Sequence, residues 1–417
     1  MRKTIVNESE LKGRVIEPDD DGYDQARTLF YGGFDRRPDV IVRVADATDV
    51  SRVVTLARET GLPLAVRGGG HSIAGHSVSD GGIVLDLSEM KAIDVDPQGR
   101  TAWAESGLTA VEFTNAAAAH GLALGFGDTG SVGIGGLTLG GGVGYLVRKH
   151  GLTIDDLLAA EIVTANGEIL HVDAESHPDL FWAIRGGGGN FGVVTRFRFR
   201  LHELDTVLGG MLLLPARPET IHAFIAEAEA APEELSTMAN VMPAPPMPFV
   251  PEDQHGKLVI MALMCYAGDA EAGEKVVAPF RALGTPVADM LKPMAYPEIY
   301  PPDQEDFHPM AVGRTSFVNE VDRAATETVV ERLEASTAPM RVVQLRVLGG
   351  AMARVPNDAT AFAHRDRRLM VNVGALFEEP GDRAEHEAWV AGSSAALQRG
   401  PAGAYMNFLG DEGEARI

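Results

Sequence analysis

The chain has 417 residues, enough for two or three domains with a large buried core. Its 59 acidic residues outnumber its 36 basic residues, a balance that argues against nucleic acid as a partner because like charges repel. Cys265 is the one cysteine, so an intramolecular disulfide and a thiolate metal cluster are excluded, and we expect no metal centre. The first residues lack the apolar core of a secretory signal, and no apolar run reaches the roughly 18 residues of a membrane span, so we expect a cytoplasmic protein with no membrane partner.

The part of the chain before residue 205 predicts short strands that alternate with helices. Thr48 or Asp49 is the expected N-cap of the first long helix. The sequence Ala165-Asn166-Gly167 between two apolar runs predicts a hairpin turn. The predicted strands are residues 39–44, 62–67, 83–87, 162–164, 168–172 and 193–201. One predicted helix ends at residue 59, and two others span residues 108–120 and 179–185.

The part after residue 205 predicts longer elements. Strands and long helices in this order favour an antiparallel sheet that helices cover on one face. Five prolines between residues 242 and 251 predict a loop over residues 241–253. The predicted strands are residues 207–214, 258–266, 341–347 and 369–377, and the predicted helices are residues 219–231, 270–283, 321–335 and 384–398.

The first of three glycine-rich loops reads Arg67-Gly-Gly-Gly-His71-Ser72 and lies between two predicted strands. Successive glycines let backbone N–H groups point into one concavity, and such concavities bind phosphate. A histidine directly after the loop would lie beside the bound group. A tight turn with an incidental histidine stays open as the alternative on these residues alone.

The second loop holds nine glycines from Gly127 to Gly144, more than a turn needs, which indicates backbone packed closely against a large ligand. The third loop contains the pattern G-x-G-x-x-G from Gly187 to Gly192. A predicted helix precedes this pattern and a strand follows it, the reverse of the order in a dinucleotide-binding βαβ unit. We therefore reject a Rossmann fold for this loop.

The chain resembles the FAD-linked oxidases of the berberine bridge enzyme and hydroxynicotine oxidase type, from about Arg36 to Gly410. Five motifs in register carry the resemblance: RGGGHSIAGHS, GxGGLTLGGGxG followed by RKHGLTIDDL, DLFWAIRGGGGNFGVVT, GGAMARVPNDATAFAHR, and Tyr405-Met-Asn407. It implies an α+β fold, with a bilobed PCMH-type FAD-binding domain and a substrate domain whose antiparallel sheet is covered by helices. We expect the FAD-binding domain at residues 1–205, with its two lobes split near residue 105, the substrate domain at 206–398, and a return to the FAD-binding domain at 399–417.

The resemblance also implies the cofactor and its site. In the family, the histidine after the first glycine loop bonds to the flavin, so FAD is expected to be covalently attached at His71. Many relatives carry a second attaching cysteine where this chain has Thr129, so we expect attachment at His71 only. The implied cofactor-binding residues are Arg67, Gly68, Gly69, Gly70, His71, Ser72, Gly75, His76, Thr129, Val132, Gly133, Gly136, Leu137, Gly140, Gly142, Gly144, Val163, Asn190, Gly192, Val193 and Val194.

Three residues are candidates for catalysis on the strength of the resemblance. Tyr405 is the candidate general base, because the family's Tyr-x-Asn motif points at the substrate side, and Asn407 is expected to hydrogen-bond nearby. Asn372 is expected to face the pocket. A phenol has a pKa near 10, so Tyr405 needs a cationic neighbour or the flavin's field to act as a base. A tyrosine packed in an interface is the alternative.

The implied reaction is oxidation of a small organic alcohol or amine, with hydride transfer to flavin N5 and reoxidation by oxygen to give hydrogen peroxide. Val132 occupies the position beside flavin C4a, where valine is typical of oxidases in the family. The family continues past the Tyr-x-Asn motif with a segment that closes over the flavin, whereas this chain ends at Ile417, so we expect weakened FAD binding. The alternatives are a flavin-containing drug-binding or resistance protein and an inactive fragment of an oxidase; the substrate and a homodimer stay open.

Overall fold

A computed structural model describes residues 6, 8–302, 307–400, 403–410 and 412. Within these residues the strands form sheets of four, five and eight strands and one short two-stranded pair. No helix in the described part of the chain has both the length and the apolar character to cross a membrane.

The first sheet is mixed, with the order β1-β2-β4-β3. β4 pairs in parallel with both β2 and β3, and β1 pairs antiparallel with β2. The first long helix is capped by Asp46, whose side chain accepts hydrogen bonds from the backbone N–H groups of Thr48 and Asp49, so the predicted cap was wrong by two or three positions. The elements are β1 (Arg14–Ile16), α1 (Tyr23–Arg27), β2 (Val40–Arg43), α2 (Ala47–Thr60), β3 (Leu64–Arg67) and β4 (Ile83–Asp86).

The second sheet is antiparallel, with the order β5-β6-β10-β8-β9. The predicted hairpin is confirmed between β8 and β9, where Gly167 adopts a φ of 84° in the turn. The elements are β5 (Ile93–Asp96), β6 (Thr101–Glu105), α3 (Ala110–Ala118), β7 (Leu122–Ala123), α4 (Ile134–Leu139), α5 (Val147–His150), β8 (Leu157–Val163), β9 (Ile169–Asp173), α6 (Pro178–Ala183), β10 (Val193–Arg200) and β11 (His202–Glu203), of which β7 and β11 form the short pair.

The third sheet is antiparallel throughout, and helices α7, α9 and α11 bury their apolar residues in one core with it, as predicted. Its strands are β12 (Thr206–Pro215), β13 (Leu235–Pro243), β14 (Leu258–Tyr266), β15 (Ala288–Asp289), β16 (Lys292–Ala295), β17 (Met310–Val318), β18 (Met340–Val347) and β19 (Leu369–Phe377), and its helices are α7 (Pro218–Ala230), α8 (Ala270–Arg281), α9 (Arg323–Glu334), α10 (Ala351–Arg354) and α11 (Arg383–Leu397). Four of these strands, β13, β15, β16 and β17, were not predicted. The last three residues of β13, 241–243, lie in the segment predicted as a loop.

The chain passes from one main sheet to the next at two points. The first sheet ends at Asp86 and the second begins at Ile93, ahead of the predicted split near residue 105, and the third begins at Thr206. After α11 the described residues return to the glycine-rich loops, since Asn407 donates a hydrogen bond to the carbonyl of Leu137. Of the predicted return at 399–417, residues 401, 402, 411 and 413–417 lie outside the described residues. The domain boundaries themselves stay a prediction.

Candidate functional site

Arg67 ends strand β3 and introduces the first glycine loop. Its buried guanidinium donates hydrogen bonds to the carbonyls of Ala26 and Thr28, the latter at 2.8 Å. Its Nε atom is buried and has no partner among the described residues. A cleft of about 250 Å³ opens here, lined by residues 67–70 and by Lys91 and Ser131. A buried cationic group and open glycine backbone suit a pyrophosphate, so these residues fit FAD.

His71 follows Gly70, which adopts a φ of 72° that favours glycine. The half-buried imidazole stacks on Phe30, with 4.1 Å between the ring centroids. Further along the loop, the backbone N–H of His76 donates to Ser72 Oγ at 3.2 Å, and the His76 side chain is exposed.

Gly75 and Gly69 allow close approach of other parts of the protein. A Cβ added to Gly75 would lie 2.6 Å from the Phe34 ring, and one added to Gly69 would lie 2.3 Å from the nitrogen of Gly133. Real Cβ atoms are not found at such distances, so the first and second glycine loops pack backbone against backbone.

The second loop leads into α4, whose N-cap is Gly133. Thr129 Oγ1 donates to Asp128 at 3.2 Å. Val132 is half-buried against the core of the second sheet. A Cβ added to exposed Gly136 would meet no atom within 4 Å, which leaves this turn of the helix open to a ligand.

The later glycines of this loop pack against protein atoms. A Cβ added to Gly140 would lie 2.0 Å from Asn407 Oδ1, and one added to Gly142 would lie 2.0 Å from Thr153 Oγ1. At Gly144 the distance to the carbonyl oxygen of Phe126 would be 1.7 Å. Part of the glycine excess therefore comes from protein packing, which differs from the prediction that the whole run reflects a ligand.

The third loop joins α6 to β10. Gly192 adopts a φ of 146°, and a Cβ added to it would lie 2.5 Å from the carbonyl oxygen of Val163. Val163, Val193 and Val194 bury their side chains in the cores of the two flanking sheets, so only their backbone is available to a ligand. Asn190 is exposed, and its amide donates to the carbonyl of Gly187 at 3.4 Å.

Tyr405 places its hydroxyl oxygen among three hydrogen-bond donors. The backbone N–H groups of Gly142 and Val143 donate at 3.1 and 3.2 Å, and Asn407 Nδ2 donates at 2.9 Å. Asn407 Nδ2 also donates to the carbonyl of Leu137 at 2.9 Å, which fixes the orientation of the amide. The structure thus brings Tyr405 and Asn407 together with the second glycine loop.

The surroundings of Tyr405 act in opposite directions on its acidity. Burial raises the pKa of Tyr405, whereas the hydrogen bonds from Val143, Asn407 and Gly142 and the charge of Arg346 lower it, and the net direction is upward. Three donors on one phenol oxygen stabilise the phenolate more than the neutral phenol, because the charged form accepts hydrogen bonds more strongly.

Buried Arg346 and half-buried Asp128 form an ion pair that the sequence reasoning missed. Arg346 also donates to Gln344 Oε1 at 2.7 Å and to the carbonyl of Val143 at 3.1 Å. The sequence of β18 indicates the face on which Arg346 lies but not its partner, since Gln344 and Arg346 alternate with buried Leu345. Strict alternation of this kind puts both polar side chains on the face opposite the apolar core.

An aromatic pair connects His71 with this ion pair. Phe30, which stacks on His71, contacts the ring of Tyr31 edge to face at 5.0 Å. Burial, followed by the negative charge of Asp128, raises the pKa of Tyr31 to about 12. The first loop, the second loop and the third sheet therefore meet around Tyr31, Asp128 and Arg346.

Asn372 lies in the middle of β19 and is half-buried. Its cross-strand partners are Thr315 and Gln344. Thr315 Oγ1 accepts a hydrogen bond from the backbone N–H of Tyr405 at 2.8 Å, so Asn372 lies one strand away from the tyrosine.

The comparisons with known proteins agree with this arrangement. Residues 38–173 match the family model of an FAD binding domain. An uncharacterised FAD-linked oxidoreductase of Bacillus subtilis is 31% identical over 418 residues, which cover 97% of this chain and 89% of that protein. The (R)-6-hydroxynicotine oxidase of Paenarthrobacter nicotinovorans is 34% identical over 300 residues, or 72% of this chain and 64% of that protein. The crystal structure of 6-hydroxy-D-nicotine oxidase from Arthrobacter nicotinovorans matches with a TM-score of 0.82 at 27% identity and covers 98% of this chain and 90% of that one.

Glycine loops that meet over a cleft with a buried arginine, on this set of sheets, define an FAD-dependent oxidoreductase. The chain belongs to the FAD-linked oxidoreductases and is similar to hydroxynicotine oxidase in sequence and fold, so the resemblance inferred from the motifs is confirmed.

Proposed function

We propose that this enzyme oxidises a small organic alcohol or amine with FAD attached covalently at His71 alone, and that oxygen reoxidises the cofactor to give hydrogen peroxide. The observation that carries the proposal is the environment of Tyr405, a buried phenol whose oxygen accepts three hydrogen bonds. These donors favour the phenolate and oppose the burial that raises the pKa of Tyr405, so Tyr405 can accept a proton once its own proton has left.

The residues proposed to hold FAD come from the three glycine loops. Arg67 and the backbone of residues 68–70 would bind the pyrophosphate, since the Arg67 Nε atom is buried without a partner among the described residues. Gly136 would lie against the cofactor because no protein atom lies within 4 Å of a Cβ added there. We also propose that residues 1–205 and the returning residues from 399 onwards form an FAD-binding domain, and that residues 206–398 form a substrate domain.

When bound, FAD supplies the acceptor for the hydride that leaves the substrate carbon. The role proposed for Tyr405 is to take the proton from the substrate heteroatom in its phenolate form, which must first lose its own proton to solvent because burial raises the pKa of Tyr405. The N–H groups of Gly142 and Val143 and the amide of Asn407 stabilise that phenolate, and Arg346 adds a positive charge that Asp128 holds in position. Asn372 would orient the substrate oxygen or nitrogen by a hydrogen bond.

The change Tyr405→Phe tests the proposal. It removes the hydroxyl and keeps the ring, so the rate of anaerobic flavin reduction by substrate should fall by about 10²- to 10⁴-fold, the usual contribution of a general base. Its FAD content and its rate of reduction by dithionite should match those of the wild type. The matched control is Tyr266→Phe in β14, a tyrosine that contacts Gly268 and Gly273. Equal substrate reduction rates in Tyr405→Phe and the wild type would contradict the role given to Tyr405.

A further inference from the structure

Residues 26–33, which we call the bridging segment, lie along the first glycine loop. The guanidinium of Arg67, at the start of the loop, donates hydrogen bonds to two carbonyls near one end of the segment. The backbone N–H of Phe30 donates to the carbonyl of Gly70, the last of the three glycines, at 3.2 Å. The bridging segment is thus held at both ends of the run of glycines, directly before His71.

The bridging segment is also bound to the residues that lead into β17. The carbonyl of Phe30 accepts a hydrogen bond from His308 Nδ1 at 3.2 Å, and because a carbonyl only accepts, this nitrogen carries the proton. The backbone N–H of Gly32 donates to the carbonyl of Pro309 at 3.0 Å. A Cβ added to Gly32 would lie 2.4 Å from the carbonyl oxygen of His308, so the two stretches pack backbone against backbone. Phe30 is therefore fixed from two directions.

The ring of Phe30 lies nearly parallel to the imidazole of His71, with 4.1 Å between the centroids and 19° between the planes. Both side chains are half-buried, and Phe30 lines the same cleft as Arg67. The ring of Tyr31 contacts Phe30 edge to face, which supports it from the side. A parallel stack covers a face of the imidazole, whereas the two imidazole nitrogens lie on its edge.

The backbone at His71 does not set the plane of the imidazole by itself. His71 lies in a stretch that is neither helix nor strand. The second side-chain torsion of histidine has only broad preferences, so the orientation of the ring depends on what it packs against. The stack on Phe30 is a contact that sets this orientation.

Attachment of FAD at His71 makes the orientation matter. The new bond joins an imidazole nitrogen to a methyl carbon of the flavin ring. That nitrogen and that carbon each lose one hydrogen, and the two hydrogens with their electrons pass to the flavin and then to oxygen, which leaves as hydrogen peroxide. The lone pair of the attacking nitrogen lies in the plane of the imidazole, so the plane must be aligned with the methyl carbon before the bond can form.

We propose that Phe30 is a positioning residue for the covalent attachment of FAD. Its ring holds the plane of the His71 imidazole, and His308 holds Phe30 through the carbonyl of that residue. This inference rests on attachment at His71 in the proposed function, and it adds the residues that make attachment fast. It also means that the stretch before the third sheet contributes to chemistry at the first glycine loop.

The rate of attachment to the full chain tests the role of Phe30. Apoprotein from cells starved of riboflavin is mixed with FAD, and the flavin that stays with acid-precipitated protein is measured over time at several FAD concentrations. Phe30→Leu keeps an apolar side chain and removes the ring. At saturating FAD its attachment should be about three- to tenfold slower than in the wild type, the range expected for the loss of one aromatic pair. The FAD concentration that gives half of the limiting rate should change by less than about twofold.

Two further variants distinguish positioning from a general structural effect. Phe30→Tyr restores a ring and should attach FAD at close to the wild-type rate. Phe34→Leu is the matched control, because it removes a neighbouring ring that packs on Gly75, further along the same loop. It should also attach FAD at the wild-type rate. Equal limiting rates in Phe30→Leu and the wild type, or an equal loss in Phe34→Leu, overturn the role of Phe30.

The hydrogen bond from His308 gives a test that leaves both rings in place. His308→Ala removes the donor to the Phe30 carbonyl at an exposed position, and it should slow attachment by about two- to threefold. This variant decides the matter if Phe30→Leu fails to fold. An unchanged rate in His308→Ala would then overturn the positioning of His71 through the bridging segment.

These measurements separate the inference from the proposed function. Wild-type protein that retains no flavin after precipitation contradicts attachment at His71 and, with it, the role of Phe30. Attachment at equal rates with and without the Phe30 ring contradicts the role of Phe30 alone. Neither result depends on substrate oxidation, so the role proposed for Tyr405 is tested independently.

Discussion

Val132 is the residue on which the choice of electron acceptor depends in the proposed function. It is half-buried at the bend before α4, and its carbonyl accepts a hydrogen bond from the N–H of Ala110 at 2.9 Å, so its position is fixed. Protein interiors are packed to a density near 0.74, and one added methylene can fill a gap of the size that oxygen needs. The change Val132→Ile should slow reoxidation of the reduced enzyme by oxygen about tenfold or more, equivalent to about 1.4 kcal/mol in the barrier.

Stopped-flow mixing of the reduced enzyme with dissolved oxygen measures this rate. The matched control is Val95→Ile, a half-buried valine on β5 that packs against the same core. Reduction by dithionite should be the same in all three proteins. If Val132→Ile is reoxidised as fast as the wild type, this position does not control oxygen access.

His150 is a second residue whose chemistry can be tested, here through stability. Its ring stacks on His202, with 3.8 Å between the centroids, and its Nε2 atom is buried without a partner among the described residues. Burial, together with the charges of His202 and Lys149, lowers the pKa of His150 from 6.5 to about 3. Below pH 6.5 the His150 side chain takes up a proton in the unfolded chain, whereas in the folded chain it stays neutral until the pH is near 3. This histidine therefore makes the free energy of unfolding fall as the pH drops from about 6.5 towards 3.

The change His150→Phe keeps the stacked ring and removes the titration. The melting temperature of the variant should fall less between neutral and mildly acidic pH than that of the wild type. His120→Phe replaces an exposed histidine and should leave the wild-type slope unchanged. Parallel curves of melting temperature against pH for wild type and His150→Phe would show that His150 is already protonated or solvated in the folded state.

At the scale of an element, the second glycine loop combines two uses of glycine that a pair of substitutions can separate. Gly144 lies against the carbonyl of Phe126, so Gly144→Ala forces a methyl group into backbone and should prevent folding or greatly lower the melting temperature. Gly136 lies in α4 with open space around it, so Gly136→Ala should fold with wild-type stability. Because Gly136 is proposed to lie against FAD, its variant should nevertheless bind less FAD.

Circular dichroism, melting temperature and flavin absorbance distinguish the two outcomes. Normal FAD content in Gly136→Ala would mean that the cofactor does not approach this turn of α4. A fully stable Gly144→Ala would mean that the backbone there can move apart, contrary to the packing seen.

The elements also show what the sequence can predict and where it fails. The helix-covered antiparallel sheet was predictable because β14 and β19 read as largely apolar runs of strand length and β18 alternates polar with apolar residues. β17 was missed because Gly313-Arg-Thr-Ser316 interrupts its apolar pattern, although the pairing with β19 is continuous. β13 was missed as well, and its last residue, Pro243, begins the proline-rich run that was predicted as a loop.

The candidate site was predictable to a similar degree. The positions of Tyr405 and Asn407 followed from their motif, whereas the three donors on the Tyr405 hydroxyl depend on Gly142 and Val143, more than 260 residues earlier in the chain. Arg346 and Asp128 are 218 residues apart, and nothing in either local sequence indicates that they form a pair. Long-range pairing of this kind becomes visible only when the sheets are assembled.

At the scale of the whole molecule, several distant stretches contribute to one candidate cofactor site. Residues 67–72 follow the first sheet, residues 127–144 and 186–192 belong to the loops around the second, and residues 405–407 return after the third. A ligand that binds all of these stretches binds only the folded chain, and it stabilises that chain by an amount that grows with its free concentration. A covalently attached cofactor cannot dissociate, so the same stabilisation becomes independent of concentration.

Covalent attachment at His71 therefore predicts how the melting temperature responds to added FAD. Wild-type holoprotein should keep its yellow colour after acid precipitation, and its melting temperature should not change when free FAD is added. His71→Ala should release its flavin on precipitation. Its melting temperature should rise as FAD is added, because FAD at a hundred times its Kd adds about 2.7 kcal/mol to the free energy of unfolding. His120→Ala, an exposed histidine, should behave as the wild type. A colourless precipitate from fully loaded wild type, with a melting temperature that rises as FAD is added, would show that the cofactor is held by the loops alone and that His71 forms no bond to it.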